Sequence, residues 1–89
     1  YFARLDLESA DLRMLEFGMS PQGRPLQAVI VARGADALTP EAARASGKPV
    51  VLVQAAIHPG ENEGKDALMA FARQLVLEGR HAEVLDGVV

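Results

Sequence analysis

The chain has no cysteine, which removes disulfide cross-links, thiolate nucleophiles and every Cys-based metal site, and leaves the redox compartment open. A dominant charge is also lacking. Nine Lys and Arg stand against 12 Asp and Glu, for a net charge of -3, and the basic residues form no cluster that would neutralise a row of phosphates. Nucleic acid is therefore not an expected partner. No apolar run approaches the roughly 18 to 20 residues of a membrane helix, so no membrane association is expected either, and no charged-then-apolar leader opens the sequence. There is no internal repeat, low-complexity tract or linker.

What is present is 89 residues with 49% hydrophobic content. That is one domain at most, and a domain of this size buries only a little over roughly 60% of its unfolded surface. The sequence starts at Tyr1 without an initiator methionine and stops at Gly87-Val88-Val89, which reads like the first residues of a buried strand. The expectation is that residues 1–89 are a piece of a longer protein.

Leu12 to Gly18 and Leu26 to Ala32 read as strands around Ser20-Pro21-Gln22-Gly23-Arg24-Pro25, whose prolines and glycine punctuate a turn. They are expected to be antiparallel neighbours, with Arg24 a turn residue. From Gly34 to Lys48 the chain is Ala-rich, with Thr39 as N-cap, Pro40 at the first helical position and Gly47 as a stop, which predicts a short surface helix. Val50 to Ile57 is apolar without alternation, apart from Gln54, as in a strand covered on both faces; it is expected at the centre of a sheet. Ala67, Leu68, Phe71, Leu75 and Val76 recur at helical spacing between about Glu63 and Glu78, with acidic residues near the start and Gly79 and Arg80 at the end. Val84-Leu85 and Val88-Val89 would form the next strand, completing a βαβ unit with a right-handed crossover. In such sheets ligands bind beyond the carboxyl ends of the strands, which is where His58 is expected.

His58-Pro59-Gly60-Glu61 sets an imidazole and a carboxylate three residues apart, the spacing of a metal-binding half-site. Zinc takes both donor types at about 2.0 to 2.2 Å. The spacing alone is cheap, since two histidines among seven glutamates produce it by chance in roughly one sequence in six. Context adds weight. Pro59 disfavours the helical region for His58, Gly60 supplies a turn, and Glu61 opens a helix, so both side chains can converge above the sheet edge. The plainer alternatives are a strand-end histidine bonded to backbone and a carboxylate that stabilises a helix N-terminus.

These segments resemble the M14 zinc carboxypeptidases. Phe17 to Leu26 is similar to that family's S-x-x-G-R-P-L hairpin, Gln54 to Glu61 to its strand and first ligand pair, and Glu63 to Ala67 to a bacterial branch. The resemblance covers essentially the whole chain as the family's N-terminal third. It implies an α/β fold with a mixed central sheet and helices on both faces, of which only the N-terminal part is present. It also implies His58 and Glu61 as two of three protein ligands of a catalytic zinc, a peptide substrate losing its C-terminal residue, and a secreted or periplasmic setting.

The third ligand, the carboxylate-gripping residues and the general base lie beyond residue 89 in the family. No catalytic acid or base is named here, and the fragment alone is expected to be inactive. Digestive-type members carry arginine where this chain has Gly60, so peptide contacts of that subgroup are not carried over. His81 lies beyond a helix of roughly 16 residues, about 24 Å long, and is read as solvated. Glu63 is read as a first-turn carboxylate, Lys65 and Asp66 as helix-surface neighbours, and Gly64 as allowing close packing of the helix. Gln54 needs a hydrogen-bond partner if buried. Two alternatives stay open: an acyl-amino acid deacylase of the succinylglutamate desuccinylase and aspartoacylase type, whose usual glycine after the histidine is Pro59 here, and a non-catalytic peptide-binding domain of the same fold.

Overall fold

The computed structural model describes residues 1–34 and 38–89. It opens on a helix the sequence reading did not anticipate, α1 (Phe2–Glu8). Phe2 and Leu5, three residues apart, turn the same way into the core, and Arg4 pairs with Glu8 one turn on. No side chain caps its start, and the helix depends on what Leu5 buries.

The two predicted strands form β1 (Leu12–Met19) and β2 (Pro25–Val31), paired antiparallel from Leu12 opposite Val31 to Met19 opposite Pro25. Phe17 is the extra residue where the register shifts between Glu16 and Gly18. The turn is held by its own side chain: Ser20 Oγ accepts from the Arg24 N–H at 3.0 Å, and the Gly23 N–H donates to the Ser20 carbonyl at 2.9 Å. Gly23 adopts φ +72°, a left-handed conformation that costs other residues roughly 1 to 2 kcal/mol.

Helix α2 (Pro40–Ala45) begins as predicted, with Pro40 in the first turn and the Thr39 hydroxyl accepting from the Ala42 N–H at 3.1 Å. Of the predicted helical stretch, residues 35–37 lie outside the described residues. Helix α3 (Glu63–Val76) is preceded by Asn62 and ends ahead of Gly79. Among the described residues, no helix is long and apolar enough to cross a membrane.

One face of the hairpin carries the core. Leu5, Leu12 and Ala72 are buried together, with Phe2, Val29, Val31, Val76 and Leu77 packed around them, so α1 and α3 lie on the face that presents Leu12, Val29 and Val31. Two polar ties fasten α1 in place. Asp6 accepts from the Met14 N–H at 3.0 Å while Arg13 lies 3.0 Å from its other oxygen, and Ser9 donates to the Val76 carbonyl. The opposite face presents Leu15, Phe17, Ala28 and Ile30 to an open apolar trough of about 460 Å³, bordered by α2 and by Val50 and Val89.

The chain is a small α/β structure as expected, but among the described residues its sheet is two-stranded and antiparallel, and a mixed sheet with helices on both faces is not formed. Val50 to Ile57 is not a strand. A strand buried on both faces needs ladder partners, and only its start has them: the Val89 N–H donates to the Pro49 carbonyl and the Val51 N–H to the Val89 carbonyl. Those two bonds are the alternation of a parallel ladder, one step long. Leu52 is 88% exposed; Gln54 is exposed too, so its amide meets water rather than a buried partner. The predicted last strand is also corrected. Val84 and Leu85 lie in a 3₁₀ turn (Ala82–Asp86), which Arg33 holds through the Asp86 carboxylate and the Ala82 carbonyl, with Leu85 buried.

Leu12 is fully buried, so Leu12→Ala is expected to cost about 2 to 5 kcal/mol. Leu7, 87% exposed on α1, should tolerate alanine within about 0.5 kcal/mol. Urea denaturation followed by circular dichroism checks both, and equal midpoint shifts would contradict this core.

Candidate metal centre

The approach to the site is built from a bend rather than a strand end. Ala56 sits at φ 55°, left-handed without being glycine, so the apolar run turns two residues before His58. His58, Pro59, Gly60 and Glu61 then form a tight turn in which the Glu61 N–H donates to the His58 carbonyl at 3.0 Å. Gly60 stays outside the left-handed region, and a Cβ there would meet nothing within 4 Å. The turn therefore does not need glycine at this position, and the missing side chain leaves open space directly before Glu61.

The turn brings the two predicted residues together. His58 Nδ1 and Glu61 Oε2 lie 3.2 Å apart, with side chains 76% and 68% exposed. Glu61 faces the imidazole and stands two residues before α3, whose N-cap Asn62 makes no side-chain cap bond, so its charge also lies near the helix N-terminus. A protonated Nδ1 donates to the carboxylate; an unprotonated one leaves two donor atoms side by side. Two ligands of one tetrahedral ion with bonds of about 2.0 to 2.1 Å stand roughly 3.3 Å apart. The observed separation is that of a hydrogen bond and is also close to this figure, and nitrogen with oxygen is a donor set that zinc accepts.

Among the described residues, no other titratable group joins this point. Glu63 opens α3 and is exposed, and Lys65 lies 3.6 Å from Asp66 on the helix surface. His81 is exposed, in a left-handed conformation past the far end of α3, a helix of 14 residues that spans about 21 Å. Among the described residues, no three His, Asp or Glu gather where they would hold a metal ion.

Two features near the turn were not foreseen from the sequence: the left-handed Ala56, which nothing in an alanine announces, and Ala55 as the partner against which Gly64 packs. The second was half legible, since a glycine in the first turn of a helix already suggested close packing.

The family model described as zinc carboxypeptidase matches residues 2–88. No curated protein and no solved structure matches the chain.

Because both candidate ligands are well exposed, their ion pair contributes at most about 1 kcal/mol. His58→Ala and Glu61→Ala should each leave the denaturant midpoint within about 0.5 kcal/mol of the parent. A large loss of stability in either variant would mean that the pair is structural.

Proposed function

Because this chain belongs to the zinc carboxypeptidase family, a family of zinc-dependent hydrolases, we propose that it is the N-terminal part of a metallocarboxypeptidase catalytic domain. In this reading His58 and Glu61 are two protein ligands of the zinc, and the parent enzyme removes the C-terminal residue of peptides. The observation that supports the ligand assignment is the convergence of His58 Nδ1 and Glu61 Oε2 at 3.2 Å on a solvent-facing turn.

Zinc bound at such a site supplies Lewis acidity toward a carbonyl and lowers the pKa of bound water to about 7. The residues of this chain supply the hold. Glu61 contributes one negative charge and His58, when neutral, a lone pair without charge, so together they offset half the charge of a divalent cation. The hydrogen bond across the turn keeps the backbones of the two ligands in register, and Pro59 removes freedom from the connection between them. Catalytic zinc normally has three protein ligands and one open position, so this pair is a half-site. The proton-accepting carboxylate and the groups that recognise a terminal carboxylate belong, in this reading, to the rest of the domain.

Elemental analysis of the full-length protein should give about one zinc per chain, lost in the His58→Ala, Glu61→Ala double variant; retained zinc would remove these residues from the ligand set. The full-length protein given a peptide library should release single C-terminal residues. Cleavage confined to acyl-amino acids would replace the peptidase reading with a deacylase. The 89-residue chain alone should show no hydrolysis.

A further inference from the structure

We propose that the contact between Ala55 and Gly64 sets the spacing of the two ligand-bearing limbs, which makes Gly64 a positioning residue for the His58 and Glu61 pair. This inference rests on the ligand assignment above.

From Val50 to Gly60 every residue is exposed except Ala55, which is partly buried. It meets the first turn of α3 there: a Cβ built on Gly64 would stand 3.2 Å from the Ala55 Cβ, closer than ordinary van der Waals contact. With hydrogen at residue 64, the helix backbone rests against the alanine methyl. Between these two points the chain makes a closed excursion, with His58 three residues after Ala55 and Glu61 three residues before Gly64. The excursion is fastened at its tip by the turn hydrogen bond and the paired side chains, and at its base by this contact.

The two limbs differ in how firmly they are held. Helix α3 is anchored by Ala72 and Leu75 in the interior, whereas the backbone of residues 52–56 has no hydrogen-bond partner among the described residues. A methyl added at residue 64 therefore displaces the Ala55 limb rather than the helix. Ala56 next to it is already in a left-handed conformation and has little freedom to absorb the shift, so the displacement passes to His58. Glu61 stays with the helix, and the two donors part.

Cobalt(II) titration of the metal-free full-length protein tests this, with affinity and the visible absorption spectrum as readouts. Gly64→Ala should weaken binding about tenfold, the lower end of what loss of a ligand-supporting contact costs, and should alter the spectrum. Its thermal midpoint should not fall, because alanine is the better helix former. Ala55→Gly added to Gly64→Ala removes the crowding and should restore both affinity and spectrum. Should Gly64→Ala lower the thermal midpoint, Ala55→Val crowds the same contact from the other limb and should reproduce the weakened binding.

Cobalt binding and spectrum unchanged in Gly64→Ala, or no restoration in the double variant, would overturn the positioning role, while loss of binding in His58→Ala would leave the ligand assignment standing. Full binding in His58→Ala would overturn both.

Discussion

The amides and carbonyls of residues 52–56 have no ladder partner among the described residues, and much of the remaining structure follows from that. A β-strand is stabilised by its neighbours, and an apolar sequence cannot supply them by itself. Val50, Val51, Leu52, Val53 and Ile57 are between 57% and 88% exposed, which forgoes roughly 25 cal/mol for each Å² of apolar surface left in water. The run is held at one end by Val89 and near the other by Gly64. It hands His58 to the turn from a segment whose apolar sequence favours an extended chain but whose backbone is hydrogen-bonded only at its start.

The two candidate ligands therefore have unequal footings. Glu61 precedes a helix whose Ala72 joins Leu5 and Leu12 in the core, and that helix is tied to α1 through Tyr1, whose hydroxyl donates to the Met69 carbonyl at 2.7 Å. His58 follows the unpaired run. A chelate with one firm and one yielding arm loses conformational freedom mainly on the yielding side when it closes. Small contacts there, the alanine methyl against a glycine above all, can consequently matter more than their area suggests.

The hairpin was legible because its signals are local: proline and glycine in the turn, apolar residues on either side, a serine able to bond back to the backbone. The same holds for α2, where Thr39 and Pro40 mark the start, and for α3, where helical spacing is sustained over several turns. Helix α1 was missed because it has neither a capping side chain nor a stop signal, and its seven residues draw their stability from tertiary burial of Leu5. The run from Val50 was misread for the converse reason. Its composition states a preference for a two-sided interior, and composition carries no information on whether partners are at hand. Val84 and Leu85 failed similarly, since two apolar residues fit a strand or a turn alike, and the Arg33 clasp that decides between them is 49 residues away at Ala82. At the site, the pairing of His58 with Glu61 could be read from spacing, but the bend at Ala56 could not.

Exposure of His58 and Glu61, the candidate ligands, bears on the chemistry as much as on the fold. Polarisation by a cation is far stronger where water is excluded than on an open surface, and side chains 76% and 68% exposed do not supply that exclusion. The apolar run ends immediately before the pair, Val50 and Val89 at its other end line the trough beneath the hairpin, and Val51, Leu52, Val53 and Ile57 along it are exposed. Strands that completed the ladder begun at Val89 would satisfy the run's backbone, bury its side chains and wall off water within a few residues of His58. Pairing along residues 52–56 and exclusion of water from His58 and Glu61, the candidate ligands, would then be coupled in a single packing event.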